Sequence, residues 1–453
     1  MMDRRTLLSV APSSFACLAH TAMTSGSANA SNPLSPRMPH HPPRARRVVF
    51  LCMDGGPSHI DLFDPKPALT KANGQTINKG RLVGAKLLGS PFKAHKSGKS
   101  GLEIGETLPE LAHHADKLCL MRGMHTDQPN HPQAFLQMHT GLFQFPRPSI
   151  GSWVLYGLGT DNANLPGFVS IAPPANNGGT ANYGSCFLPA IYQGTRLGQA
   201  GRPMANARMA NIAGGERRAD RQRTQLDVIQ EFNRQATPSG PADPLISGLM
   251  DSYELAYRMQ GEMPPLLDIS AESASTKSSY GLDDPASRNF AHQCLLARRL
   301  LEAGVRFVEI CQPGWDHHRG IQEALTNSCR AIDKPMSGLL GDLAARGMLE
   351  DTLVIWSGEF GRTPTSQGGD GRDHNSKGYT MWMAGGGVKG GHVHGGTDEL
   401  GFEAVSGRMH VHDWHATMLY LLGLDHERLT HRHAGREMRL TDIKGQVEHG
   451  IVA

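Results

Sequence analysis

The sequence contains no C-x-x-C pair, no internal repeat, no dominant charge and, beyond its amino-terminal leader, no apolar stretch long enough to cross a bilayer. Without C-x-x-C spacing, the seven cysteines offer no paired-thiol metal or redox motif. A formal net charge of +3 over 453 residues gives no basis for a nucleic-acid or anionic-membrane partner. Gly 53 and Pro 29 call for many loops but not for a fibrous or disordered chain. Cys17 lies in the expected signal peptide. Cys52, Cys119 and Cys311 lie in or beside apolar runs, where a buried thiol is the expectation, and Cys186, Cys294 and Cys329 complete the set with no pairing legible. Histidine is abundant, with 23 residues and clusters at 317–318, 392–394, 410–415 and 431–433. Imidazole is the commonest metal ligand near neutral pH.

The amino terminus reads as a targeting segment. Asp3-Arg4-Arg5-Thr6-Leu7-Leu8 resembles the twin-arginine export motif, followed by a short apolar region and a small-residue site at Ala28-Asn29-Ala30. Pro12 and several serines make this stretch a poor membrane span. The expected organisation is a signal peptide over 1–30, a Pro-rich leader over 31–45 and one domain over 46–445. That domain carries a loop-rich and helical insertion at about 175–245, and a tail follows over 446–453. Export places the mature protein in the periplasm or outside the cell.

Leu353-Val354-Ile355-Trp356 has the length and β-branched character of a buried parallel strand, and it breaks at Ser357-Gly358 into Glu359-Phe360-Gly361-Arg362. In open α/β sheets, ligands gather beyond the carboxyl ends of strands. The same grammar recurs. Arg47–Met53 ends in Asp54, Leu118–Arg122 empties toward Asn130 and His131, and Val305–Ile310 leads to Asp316, His317 and His318. A Gly-rich loop after Glu359 brings Asp373 and His374. Helices are expected at 108–114, 133–140, 217–235, 244–262, 287–303, 332–346 and 416–422, with further strands at 168–171 and 379–384. Residues 71–105 read as irregular and 385–396 as hairpin-like, and Asp413 is placed to cap the last helix. This alternation argues for a three-layer α/β sandwich with a mostly parallel sheet and helices on both faces.

Mixed carboxylate and imidazole side chains at several strand ends suit Zn²⁺ or Mn²⁺, and an oxygen-dominated subset would suit Ca²⁺. Two ions about 4 Å apart can hold the attacking and leaving oxygens of a phosphoryl or sulfuryl transfer. The candidate ligands are Asp54, Asp316, His318, Glu359, Asp373 and His374. Asn130, His131 and Arg362 are the candidate catalytic residues, Arg362 either clamping an oxyanion through its fork or pairing with Glu359. His410, His412 and His415 read mainly as packing residues, and His392, His394, His431 and His433 as surface.

The segments FLCMDGGPSHIDLFDPKP, GWDHH, LVIWSGEFGRTP, GRDHN, MAGGGVKGG and HVHDWHATMLYLLGLDH resemble the sulfatase-like family known as domain of unknown function 1501, over roughly 45–445. The resemblance implies an alkaline phosphatase-like core, shared with sulfatases and phosphoglycerate mutases, and two metal ions. Asp54 matches a first-strand metal aspartate. Asp316 and His318 resemble the ligands of one ion, Glu359 stands where an aspartate serves the other, and His374 resembles the late histidine ligand. Two departures stand out. The loop after the second strand reads Asp127-Gln128-Pro129-Asn130-His131, with Thr126 the only nearby hydroxyl, and no C-x-P-S-R signature occurs. The Asp-His pair after the central strand is Glu359-Phe360. The expectation is an exported metal-dependent hydrolase of small-molecule or polysaccharide sulfate or phosphate esters. The alternative is a non-catalytic metal-binding or scaffold protein on the same fold.

Overall fold

The computed structural model describes residues 33–77, 83–207, 209, 219–236 and 244–453. The twin-arginine segment and part of the insertion lie outside the described residues.

A nine-stranded sheet forms the middle layer. Its strands are β1 (Arg47–Asp54), β2 (Leu118–His125), β3 (Phe168–Ile171), β4 (Thr195–Leu197), β5 (Phe307–Pro313), β6 (Thr352–Ser357), β7 (Tyr379–Ala384), β8 (His392–His394) and β9 (Met409–His410). Their order is β8-β2-β7-β6-β1-β5-β3-β4, with β9 also beside β2. β7 runs antiparallel to both its neighbours, and every other pairing in the sheet is parallel. The mostly parallel α/β sheet read from the sequence is therefore present. β1 and β6 are buried along their length, as a central parallel strand covered on both faces requires. Among the described residues no helix is long and apolar enough to cross a membrane.

The helices used below are α1 (His131–Thr140), α2 (Ala219–Ala236), α3 (Pro244–Leu267), α4 (Arg288–Glu302), α5 (Ile321–Ala345) and α6 (Val411–Leu421). α1 and α6 cover the sheet face that carries Phe50, whose ring meets His139 and Trp414 at 5.8 and 5.6 Å. α4 packs on β5 and on α5. Within this frame β1 pairs with β5 and β6 so that Asp54 stands beside Pro313 and Cys52 beside Ser357. That register brings the segments after β1, β5 and β6 to one edge of the sheet.

Four local expectations are corrected. Residues 71–105 contain a hairpin, Ala94–Ser97 with Leu102–Gly105. α5 starts at Ile321 rather than 332 and runs through Pro335, its first half being masked in sequence by the weak helix formers Asn327 and Ser328. The cap of α6 is His410, and Asp413 sits three residues in, its carboxylate accepting the His410 backbone N–H in a reciprocal capping box. His392 and His394 are half-buried because their segment adds a short parallel strand to the edge of β2.

A buried ion pair anchors the hairpin Gly361–Gln367/Gly371–Asn375 that follows β6. Arg372 donates from Nε and one terminal nitrogen to the two oxygens of Asp61 at 2.7 and 3.0 Å, both side chains being fully buried. Burial opposes ionisation of Asp61, but Arg372 and the Ser58 hydroxyl outweigh it and hold the pKa below the ordinary carboxylate value. Arg372→Met strands a buried carboxylate and is expected to cost about 3–5 kcal/mol in urea unfolding. A loss below about 1 kcal/mol would show that the pair does not hold the hairpin.

Several histidines are held neutral by the fold. Burial lowers the pKa of His59, His114, His125 and His412 to about 4, and that of His415 to about 3. Each gains a proton on unfolding below its ordinary value of 6.5, so each contributes stability at neutral pH that is lost as the pH falls from 6.5 toward 4. His139, raised by Glu309 against burial, works the other way and contributes stability that is lost as the pH rises through its folded pKa. The expected outcome is a lower Tm at about pH 5 than at about pH 7.5. His415→Gln should narrow that gap, because its amide can still donate to the Met138 carbonyl that His415 Nε2 reaches at 2.8 Å.

Candidate metal centre

Four side chains from three segments meet at the carboxyl edge of the sheet: His131, Asp316, His318 and His374. Each segment is fixed by its own chemistry. His131 is the first residue of α1, which begins after the N-cap Asn130 and continues through Pro132 at a position where a missing N–H costs nothing. Asp316 and His318 follow Gly314, which takes a positive φ at the end of β5. His374 stands opposite Arg362 across the hairpin. The hairpin lies so close to the β5 loop that a Cβ at Gly371 would fall 1.9 Å from the His318 carbonyl carbon. Gly55, at φ +124°, likewise leaves no room for a side chain against the Asp316 amide, 2.5 Å from its ideal Cβ position.

Three imidazole nitrogens converge on one carboxylate oxygen. His318, His131 and His374 place their Nε2 atoms 2.8, 3.3 and 3.3 Å from Asp316 Oδ1. The Nε2 atoms of His318 and His374 are 3.0 Å apart. The other nitrogen of each ring is spoken for: His131 Nδ1 donates to Glu359 Oε1, His374 Nδ1 to the Pro129 carbonyl at 2.6 Å, and His318 Nδ1 to Gln367 Oε1. This is the arrangement of metal-binding histidines, in which an oxygen acceptor on one nitrogen fixes the tautomer and leaves the other lone pair free. His131 Nε2 is buried and has no hydrogen-bond partner, an orphan that a cation would satisfy. Three imidazoles and one carboxylate are donor types that Zn²⁺ or Mn²⁺ takes, so the residues fit a divalent ion.

The charges agree. Burial disfavours the Asp316 carboxylate, but His131, His374 and Arg362 hold its pKa far below the ordinary range. Burial likewise opposes charge on His131, yet Asp316 and Glu359 raise its pKa to about 9. Two carboxylates therefore draw positive charge to this point, and a bound cation supplies the same charge to the same oxygens.

The remaining expected residues surround this group. Glu359 is buried and accepts from the Gly55 and Gly56 amides at 3.1 and 3.2 Å as well as from His131, so it orients a histidine from behind the cluster. Asp54 lies beside it. Burial, then the Glu359 charge, raises its pKa to about 6, against a 2.6 Å hydrogen bond from Asn177 Nδ2. Asp373 is exposed and caps the His374 amide with its own carboxylate, away from the four donors. Asn130 is exposed at the N-cap of α1 without a side-chain capping bond. Thr126 is buried and donates to Gln137 at 2.9 Å.

Arg362 does not reach an open surface. It is fully buried and donates to the carbonyls of Gly56, Gly55, Trp315 and Arg372 and to Asp316 Oδ1, the last at 2.6 Å. Its N–H groups are directed at these protein oxygens, and its acidic partner is Asp316 rather than Glu359. The geometry replaces the expected oxyanion clamp by a strut. Two residues escaped the sequence reading. Asn177 follows β3, so applying the strand-end rule to Phe168–Ile171 would have pointed to it. Gln367 gives no signal beyond its place in the hairpin.

Comparison with known proteins adds a family and a loose structural likeness. The sulfatase PsFucS1 from Pseudoalteromonas sp. overlays with TM-score 0.36 and 14% identity, covering 84% of this chain and 68% of that one. The lipoteichoic acid synthase LtaP from Listeria monocytogenes gives 0.37 and 8%, covering 91% and 79%. The alkaline phosphatase of the Antarctic bacterium TAB5 gives 0.31 and 9%, covering 78% and 93%. Overlays this loose leave the chemistry to be argued from the chain's own residues. No curated protein matches the sequence. Residues 45–452 match the family model described as protein of unknown function, DUF1501, and the chain belongs to that family.

Proposed function

We propose that this chain is an exported, metal-dependent hydrolase-like protein acting on a small-molecule or polysaccharide sulfate or phosphate ester. The observation that supports it is the convergence of His131, His318 and His374 Nε2 on Asp316, with each second ring nitrogen already engaged. Nitrogen-rich donors favour Zn or Mn over Ca. The four donors form one group while Asp54 and Glu359 lie outside it, so the reading is one ion here rather than two. The Asp316 side chain is 47% exposed, so the group opens to solvent as a site that receives a substrate must.

A bound divalent ion would polarise the ester and acidify a water molecule. The protein's own share is orientation and proton transfer. Glu359, Pro129 and Gln367 fix the three rings. Asp54, with a pKa of about 6, can hold or give up a proton near neutral pH, and Asn177 aims its carboxyl. With Thr126 engaged by Gln137, the nucleophile in this reading is water rather than a side chain. The leader supports export through the twin-arginine pathway to the periplasm or beyond.

Elemental analysis of the purified mature chain is expected to find about one equivalent of Zn or Mn, with the metal lost in Asp316→Ala and His374→Ala. Asp54→Asn should keep the metal and lower the hydrolysis of aryl sulfate or phosphate esters at least about 100-fold. Metal retained by all three variants would overturn the assignment of the site. Metal bound with no turnover of any ester would favour the non-catalytic binding protein on the same fold.

A further inference from the structure

Hydrogen bonds alone leave the imidazoles of the candidate centre underdetermined. A single bond to Nδ1 fixes where that nitrogen points, but the ring can still swing about the bond. His131 and His374 each have one such bond, to Glu359 and to the Pro129 carbonyl. Contact with a flat face removes the remaining freedom. The Phe360 ring supplies that face to both: its centroid lies 4.9 Å from that of His131 and 4.6 Å from that of His374, at interplanar angles of 39° and 33°. The two imidazoles are themselves 4.3 Å apart, so the three rings pack in a closed triangle. These are the separations of rings in direct contact.

The chain around Phe360 holds its ring in place. Phe360 is 1% exposed. It follows Glu359, which accepts from His131 Nδ1, and precedes by two residues Arg362, which pairs with Asp316. Gly56, at φ +69°, leaves the ring its slot: the ideal Cβ position there is 2.7 Å from two carbons of the Phe360 ring, so a side chain at 56 would displace it. The open side of the cluster lies elsewhere. The side chains of Asp316 and His318 are 47% and 33% exposed, against 16% and 18% for His131 and His374, the two rings that Phe360 covers.

We infer that Phe360 is a positioning residue of this centre, an inference that rests on the metal-dependent reading above. Its ring sets the planes of His131 and His374 so that both Nε2 atoms face Asp316 Oδ1 before an ion arrives. Donors held in advance bind with less reorganisation than donors that must be gathered. A phenyl ring offers no donor of its own, so it also closes the covered side of the cluster to water. Partners that orient metal ligands from outside typically change metal affinity by about 10–100-fold. Leucine or methionine at 360 would fill much of the same space without a flat face to hold the imidazoles.

The test is Co²⁺ binding to the full mature chain after chelation, followed by the visible absorption that reports coordination geometry. The native chain should bind about one equivalent. Phe360→Leu should bind at least about tenfold more weakly, and at saturating Co²⁺ its visible band should differ from the native one in position or intensity. Phe360→Met should do the same and guards against a folding fault peculiar to leucine. Phe168→Leu removes a comparably buried ring whose ring partner is Phe307 at 5.0 Å. It should lower the Tm but keep the native Co²⁺ affinity and spectrum, which separates ring positioning from loss of packing. Native affinity and spectrum in both Phe360 variants, or equal changes in Phe168→Leu, overturn the role of Phe360 and leave the metal centre standing. A native chain that binds no Co²⁺ overturns the centre itself and this inference with it.

Discussion

One guanidinium holds the candidate metal centre together. Arg362 binds the carbonyls of Gly55 and Gly56 after β1, of Trp315 after β5 and of Arg372 in the hairpin, and it also pairs with Asp316. Buried backbone carbonyls that have left the ladder at strand ends need donors. A single planar fork reaching several of them fixes the spacing between chain segments that sequence keeps far apart. Desolvation makes such a buried cation costly, and burial does lower its pKa, with Asp316 as the main counterweight. The carboxylate that the arginine positions is the one on which three imidazoles converge.

Around this strut the site is arranged in two tiers. The inner tier is three imidazoles and Asp316. The outer tier is Glu359, Pro129 and Gln367, whose oxygens decide which ring nitrogen carries the proton. Asp54 belongs to neither tier. It shares Glu359's neighbourhood, carries a pKa raised to about 6 and faces Asn177. Placing one carboxylate where it orients a ring and another where it titrates near neutrality gives the same residue type two different jobs.

The strand-end grammar made much of this legible. Buried apolar runs ending in Asp54, Asp316 and Glu359 are strong signals because a parallel strand covered on both faces has few other readings. The roles were less legible than the places. Nothing in Glu359-Phe360-Gly361-Arg362 tells that the arginine turns back under the loop, because that depends on carbonyls brought in from residues 55, 56 and 315. His131 stood beside Asn130 as a candidate catalytic residue rather than a ligand, and only α1, seated by the buried His139–Glu309 pair, sets its ring over Asp316. The start of α5 and the cap of α6 were misplaced for a local reason: weak helix formers and an unusual histidine cap carry little signal in sequence.

The donors run from residue 131 to residue 374, and none of the three segments can present its ligand until the sheet beneath has closed. Short-range order therefore cannot capture the ion early, since the loops joining these residues enclose most of the domain. Selection of an ion at this candidate site would then be deferred until the end of folding and become a property of the compartment in which folding finishes. A chain that crosses a membrane already folded would carry with it the metal chosen on the side where it was made.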